Sequence, residues 1–550
     1  MSFGSFRRLL LVYVAALIVA AIGVRSYVAL GKPESPVFIE SGWKEGKRVL
    51  RVVRDRAEPA EARAKVPDGT VFKVEEVTGI APMSIHPVFF AFALVPGLDG
   101  VKVEVDGKTA YATVDDLLSA QAYDHGGTAF DPSLGLGTHR PTVLYVLSQE
   151  LGIPPADVAA RGRFERVRTK RIDPPIRRIG PNDIKEEDVR AAIEGAARHL
   201  ARGIDGYGRY RYLIDAPTNT TVPAYNWPRH AGSTYFMAQA AHVLDDPDVR
   251  FATLRAASCM RDEMMVACGP HRCIADYDTA DVGSSALAII ALVEVVRTGA
   301  DASYRRAIAD LAEFLRSQQR ADGELMHLYQ RSSETPVDVQ FLYYTGEAAL
   351  ALSRAHRITN DPRDLEAASR ALHHLATKGW RFFGSRYYYS EEHWTCQAVA
   401  DLWERAPDRD ALEFCAHWHE FQRALQHEEG DSPFDSEGSF GVGPFITPRV
   451  TPAASRGEAA GALLEVLRKE YGDNDERTRL VDLELRRAIA FVLRNQFQPG
   501  PTHLFAAPEA VNGAFPGSPV DWQVRIDYSQ HAGSMLVRWL EDGGGIPYPK

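Results

Sequence analysis

The sequence has little cysteine, no excess of positive charge, and no apolar run longer than the sixteen residues of 9–24. Five cysteines in 550 residues are too few for a disulfide scaffold. Lys and Arg number 63 against 73 Asp and Glu, so the net charge is −10, which disfavours a nucleic-acid binder that relies on a basic surface. Hydrophobic residues make up 45% and charged residues 25%, a soluble globular composition far from disordered or collagen-like chains. At this length two to four domains are expected, unless one large helical toroid takes most of the chain.

What is present begins at the N-terminus. Arg7 and Arg8 precede the apolar run 9–24, and Arg25 closes it. If Arg25 snorkels and residues 27–30 are counted, the stretch reaches the roughly 20 residues a bilayer needs. No small-x-small cleavage site follows, which favours a signal-anchor over a cleaved signal peptide. Positive-inside logic then places a single-pass anchor in the cell membrane and residues 31–550 on the extracytoplasmic side. There disulfides become the expectation for Cys259, Cys268, Cys273, Cys396 and Cys415, as two bridges and one free thiol in unspecified pairing. A zinc site using Cys268, His271 and Cys273 is the alternative.

Residues 31–175 read as a small α/β domain. The stretch 101–114 alternates apolar and polar residues around Asp106-Gly107, a hairpin signal; 71–77 and 49–53 are further strand candidates, and 141–152 a helix. After Pro174-Pro175 the pattern changes for residues 176–550. Amphipathic helices with a polar face recur at 186–200, 249–265, 303–319, 364–376, 410–425 and 477–496. Between them lie shorter, more apolar helices that begin near His230, Gly283, Gly346, His393, Gly457 and Gln530. Six outer and six inner helices, with inner starts 47 to 73 residues apart, predict an (α/α)6 toroid. A linear solenoid is the alternative, but its repeats are shorter and more even. The expected fold class is therefore mainly α: a toroid preceded by a small α/β domain and an N-terminal membrane-anchor helix.

In such a toroid the inner helices run the same way, so their N-termini share one rim. Each entrance carries ionisable and aromatic residues: Trp227, Arg229 and His230; Asp278 and Asp281; Tyr344 and Glu347; Glu391, Glu392, His393 and Trp394; Arg456 and Glu458; Arg525, Asp527, Tyr528 and His531. Six converging N-termini favour anionic ligands. Asp278 and Asp281 also read as helix N-caps, Glu347 as a complement to the helix dipole, and Gly232, Gly283, Gly346 and Gly457 as sites of close helix packing. His230 and His531 share the pattern His-Ala-Gly-Ser in the first and last inner helices.

Two resemblances follow from quoted segments. Pro96-Gly-Leu-Asp-Gly-Val-Lys-Val-Glu resembles part of the AMMECR family over about twenty residues, without that family's Arg-Gly-Cys-Ile-Gly segment. Asp281-Val-Gly-Ser-Ser-Ala-Leu-Ala, Gln319-Arg-Ala-Asp-Gly-Glu and Tyr344-Thr-Gly-Glu-Ala-Ala-Leu-Ala-Leu, with Thr359-Asn-Asp, resemble the (α/α)6 domains of glycan-active enzymes: D-glucuronyl C5-epimerases, polysaccharide lyases and several glycoside hydrolases. These elements specify the helical repeat better than any reaction, and squalene-cyclase-type toroids share the architecture, although no Asp-x-Asp-Asp run is present.

The resemblance implies an enzyme acting on a polysaccharide, a uronate-containing one among the candidates, and the N-terminal run adds the expectation that it is membrane-anchored. Arg229, Arg456 and Arg525 would hold a carboxylate, and His531, Tyr528 or Glu392 would remove the C5 proton, giving epimerisation or β-elimination. The candidate catalytic set is Glu392, His393, Asp527, Tyr528, His531 and His230. Substrate would be bound by Arg229, Trp227, Asp278, Tyr344, Glu347, Trp394, Arg456, Glu458 and Arg525. Hydrolysis by two of Asp278, Glu392, Glu458 and Asp527 is the competing chemistry. A non-catalytic envelope receptor for glycan or protein is the alternative function, with aromatic platforms at Trp227, Tyr344 and Trp394. No cofactor is expected, and the sequence leaves a metal ion undecided.

Overall fold

The structure, a computed structural model, describes residues 11–16, 29–90, 93–123, 138–174, 178–299, 302–378, 393–431, 435–440, 448–497 and 501–541. Most of the apolar run 9–24 lies outside these residues, and no helix among the described residues is long and apolar enough to cross a membrane. The anchor helix expected from the sequence therefore has no support here.

The first part of the chain builds a six-stranded antiparallel sheet from β1 (Phe38–Lys44), β2 (Lys47–Arg54), β3 (Val71–Pro82), β4 (Asp99–Val105), β5 (Lys108–Ala112) and β6 (Arg163–Asp173), in the order β2-β1-β3-β6-β4-β5. The hairpin read around Asp106-Gly107 is the β4–β5 turn, where both residues take positive φ, 50° and 78°. The helix expected at 141–152 spans Arg140–Leu151 and ends on a left-handed Gly152. Strand β6 was not legible because its Arg-rich sequence hides the alternation. Its Arg166 is buried, and Asp99 on β4 neutralises it at 3.1 Å while also binding Arg168.

Among the described residues twelve long helices follow, alternately outer and inner: α1 (Glu186–Arg202), α2 (Trp227–Leu244), α3 (Pro247–Cys259), α4 (Val282–Arg297), α5 (Ala302–Ser317), α6 (Tyr344–Thr359), α7 (Pro362–Thr377), α8 (His393–Leu402), α9 (Arg409–Arg423), α10 (Val450–Tyr471), α11 (Glu476–Asn495) and α12 (Ile526–Glu541). Their composition explains the division. Helix α4 buries nearly every side chain and is apolar all round, whereas α5 buries one stripe and exposes Arg305, Arg306 and Glu313. Outer helices α3, α7, α9 and α11 open on Asp246, Asp361, Asp408 and Asp475, whose carboxylates accept hydrogen bonds from first-turn amides.

Each inner helix packs on the next, and α12 packs on α2, so the six close into a ring. Glycine makes this approach possible. A Cβ at Gly283 would overlap the Tyr344 ring of α6, one at Gly457 the Met535 side chain of α12, and one at Gly533 the Phe236 ring of α2. The mainly helical toroid is thus the architecture, and its helices match the twelve expected segments closely. Two inner helices begin earlier than expected: α10 starts at Val450 rather than near Gly457, and α12 at Ile526 rather than near Gln530.

The sheet docks at the rim. Gln121 donates to Asp215 of β7 (Leu213–Asp215) at 2.5 Å, and His503 meets Asp115 at 3.0 Å. Strand β7 in turn pairs with β8 (Gln523–Arg525), which leads directly into α12. Two disulfides, Cys268–Cys273 and Cys396–Cys415, leave Cys259 free and buried. Sulfurs bonded to each other cannot ligate zinc, so the Cys268–His271–Cys273 alternative fails.

Candidate active site

Helix periodicity puts Asp527 and His531, four apart on α12, on one face of the rim. His531 Nδ1 lies 2.7 Å from Glu458 Oε2 on the neighbouring α10. The first residue of α8, His393, stands edge-on to His531 with ring centroids 5.4 Å apart, and Trp394 lies 6.2 Å from the same ring. Gly346 lets α6 approach α8 here, since a Cβ there would press on Thr395 and Trp394. Three consecutive inner helices thus deliver His393, Glu458 and His531 to one point. Their ligand atoms fall within 4.8 Å of one another, a two-imidazole, one-carboxylate set that has the donors a divalent cation uses.

Beside this triad stands an arginine clamp. Arg525 donates to both oxygens of Asp527, Nε to Oδ1 at 2.5 Å and Nη2 to Oδ2 at 2.9 Å, while Arg229 of α2 approaches Oδ2 at 3.3 Å. Burial pushes the Asp527 carboxyl up, but the Arg525 hydrogen bonds and the Arg525, Arg229 and His531 charges outweigh it and hold Asp527 below its usual range. Tyr528 is buried, which raises its phenol; its oxygen accepts from Arg449 at 3.2 Å and its ring lies under the Arg525 guanidinium. Glu458 behaves oppositely to Asp527. Burial raises its carboxyl more than His531, Arg538 and Arg354 lower it, and Oε1 has no hydrogen-bond partner.

A third group lies between α4 and α6. Asp281 caps α4 by accepting from the Ser284 amide at 2.6 Å and the Ser284 hydroxyl at 2.7 Å, yet burial still raises its carboxyl. Glu347, one turn into α6, is pushed well above the carboxylate range, first by burial and then by the Asp281 charge, and its Oε2 has no partner. Gly283 leaves the space that Tyr344 and Glu347 fill. Tyr344, half-buried, interacts with Asp281 and carries a raised phenol for the same two reasons, burial and the Asp281 and Glu347 charges.

Several expected site residues have other work. His230 is fully buried, with Nδ1 2.7 Å from the Tyr225 hydroxyl and Nε2 3.0 Å from the Ala256 carbonyl, so both nitrogens are spent and burial lowers the imidazole to about 4. The His-Ala-Gly-Ser pattern it shares with His531 reflects packing: Gly232 faces Gln530 on α12 and Gly533 faces Phe236 on α2. Arg456 is fully buried against the outer layer, donating to Gln422 of α9 at 2.6 Å and lying over Phe440. It lies two turns into α10, on the face opposite Glu458. Asp278 is not a cap. It accepts from the Ser332 amide and hydroxyl, and from Gln330, tying two loops together. Trp227 packs on Tyr225 at 5.0 Å and His230 at 5.4 Å. Glu391 and Glu392 lie outside the described residues.

Arg449, Tyr212 and Tyr343 join the site without having been singled out. Arg449 holds Asp521 and Tyr528, Tyr212 accepts from Arg229 at 3.0 Å, and Tyr343 stands 6.1 Å from the His393 ring. Arg449 was readable only by placing the α10 start two turns earlier.

No protein-family model and no curated protein matches this chain. Solved structures with the same fold do exist. A D-mannose isomerase covers 64% of this chain and 97% of its own at 12% identity and a TM-score of 0.50. A cellobiose 2-epimerase from Bacillus thermoamylovorans covers 65% and 98%, also at 12% identity and 0.50. At this identity the likeness is one of fold, an (α/α)6 ring in both.

Proposed function

We propose that this protein is a carbohydrate-active enzyme that moves a proton at a sugar carbon, as an epimerase or lyase acting on a uronate-containing glycan. The observation that carries the reading is the His531–Glu458 pair, 2.7 Å apart, facing the second imidazole of His393. With Glu458 accepting from His531 Nδ1–H, the imidazole is fixed in the tautomer whose Nε2 lone pair takes the proton. His393 is the second proton-transfer group. If it returns the proton from the opposite face the sugar epimerises, and if a leaving group departs first the product is unsaturated. Arg229 and Arg525 supply the positive charge that stabilises a carboxylate next to the acidified C–H, whereas Trp394, expected to bind substrate, is buried in the core. The sugar isomerase and epimerase that share the fold make this chemistry a natural one to test here.

Hydrolysis remains the second reading, because Glu347 is a buried carboxyl held protonated and so is poised as a general acid. The two disulfides support an oxidising compartment, and with it an extracytoplasmic place for the ring, reached through an N-terminal anchor.

The test is incubation with acidic and neutral polysaccharides in D2O, read by mass spectrometry. Deuterium gain without shortening identifies epimerisation, and unsaturated fragments identify a lyase. His531→Ala is expected to abolish either while sparing binding. Glycan binding with no chemical change in any substrate would overturn the enzyme reading in favour of a receptor.

A further inference from the structure

A ladder of three short strands leads outward along the rim from the Asp281–Glu347 group. Thr279–Asp281 pairs with Leu328–Gln330, which pairs in turn with Thr335–Val337. Its inner end is at Asp281, the cap of α4, where the Val282 amide donates to the His327 carbonyl at 3.0 Å. Its outer end is the turn that joins His271–Asp276 to Thr279–Asp281. From His327 to Gln330 the ladder spans roughly 10 Å, at about 3.3 Å per residue.

An aromatic ring stands at each end. At the inner end the Phe341 amide donates to Nδ1 of the fully buried His327 at 2.7 Å. The Phe341 ring is backed by His327, with planes 19° apart, and by Tyr344 at 5.1 Å, yet the residue is 42% exposed. At the outer end Tyr277 is 90% exposed, and its side chain makes no hydrogen bond or ring contact among the described residues. Its φ of 53° lies in the left-handed region, where a bulky side chain is strained. The turn is nevertheless fixed. Asp278 accepts from Ser332 and Gln330, and Arg331 donates to the Tyr277 carbonyl at 2.5 Å and the Ala267 carbonyl at 3.0 Å. A strained, firmly held turn therefore presents a ring that supports nothing in the fold.

We propose that Phe341 and Tyr277 are stacking platforms for separate units of one glycan chain laid along this ladder, so that the protein selects a polysaccharide over a disaccharide. The proposal rests on the carbohydrate reading above and narrows its substrate to a polymer. A sugar ring has an apolar C–H face and hydroxyl edges. The platforms supply aromatic faces, and the exposed Thr279, Ser333 and Thr335 supply hydroxyls beside them. A protein partner needs a contiguous apolar centre, which two rings separated by polar residues do not form. Trp394 is buried, so the aromatic faces open to a sugar beside the inner-helix entrances α4 and α6 are these two.

The experiment is affinity electrophoresis of the full chain through gels containing the acidic and neutral polysaccharides, with the matching disaccharides as soluble competitors. A polymer is expected to retard the protein and to bind more tightly than its disaccharide. Tyr277→Ala should weaken polymer binding roughly fivefold and remove that preference, while Tyr277→Phe, which keeps the aromatic face, should preserve it. Tyr277→Asn should weaken polymer binding as Ala does yet raise the urea midpoint, because Asn tolerates the left-handed backbone. Retardation by no polymer, wild-type polymer affinity in Tyr277→Ala, or a lowered urea midpoint in Tyr277→Asn would each overturn the proposal. Binding is read without turnover. Tyr277-dependent retardation with no change in the D2O assay refutes the enzyme reading alone, and polymer turnover with retardation that ignores Tyr277 refutes the platforms alone.

Discussion

Replacing Glu347 with Gln tests the electrostatics of the rim without assuming any substrate. Glu347 is buried beside Asp281 with Oε2 unpartnered, and its folded carboxyl titrates well above the ordinary value. The native state thus keeps a proton that the unfolded chain has released. Below the unfolded value both states are protonated and the group costs nothing; as pH rises from there towards the folded value, stability falls. One proton sets the slope at about 1.4 kcal/mol per pH unit at most. Glu347→Gln keeps the shape and removes the titration. Wild type and variant should be similarly stable near pH 4, and the variant should gain as pH rises from there until the folded carboxyl titrates. Asp281→Asn should shorten the pH range over which stability falls without abolishing the fall, because burial is the larger cause and remains. Urea unfolding at pH steps from 4 to 8, at constant m-value, measures this directly. Parallel stability curves for wild type and Glu347→Gln would refute a protonated Glu347, and with it the general-acid role that hydrolysis requires.

Three further outcomes follow from packing and cross-links. Gly457→Ala should destabilise the ring by about 1–3 kcal/mol, since its methyl meets Met535, and Met535→Ala in the same chain should recover part of that in a double-mutant cycle. Removing the Cys396–Cys415 bridge, which ties α8 to α9 across nineteen residues, should cost about 3 kcal/mol, read as a lower urea midpoint for the Cys→Ser pair than for the wild type. His230→Ala should lower stability by about 2 kcal/mol or more, because the Tyr225 hydroxyl and Ala256 carbonyl lose a buried partner; a fully stable but inactive variant would restore His230 to the catalytic set.

The ring was legible because its signal is local. Inner helices are apolar all round and outer ones striped, and both patterns repeat along the chain without reference to distant residues. The strands β1 and β6 were harder, since their pattern depends on partners: the buried Glu40 on β1 lies 3.7 Å from Arg54, and the buried Arg166 on β6 lies 3.1 Å from Asp99. The site was legible only at the level of which segments meet. Reading a single rim correctly gathered His393, Glu458, Asp527 and His531, which are separated by up to 138 positions. What a side chain does there depends on a phase that the sequence does not display. Arg456 and Glu458 are two positions apart on α10, a rotation of about 200°, so one faces the outer layer and the other the rim. An error of two turns in the helix start decides nothing about the fold and everything about which of Arg449 and Arg456 stands at the entrance.

That distinction also bears on the two histidines. His230 and His531 occupy the same place in the same four-residue pattern, and the glycines of that pattern perform the same task in both, seating α2 and α12 against each other. Their chemistry diverges through one neighbour each. Across from His230 the Tyr225 hydroxyl and the Ala256 carbonyl complete a neutral, closed set, whereas across from His531 stands a buried carboxylate with a free oxygen. A closed set resists ionisation, and burial lowers His230 accordingly. His531 thus has a carboxylate within hydrogen-bond reach and His230 has none, which is the geometric difference between the two.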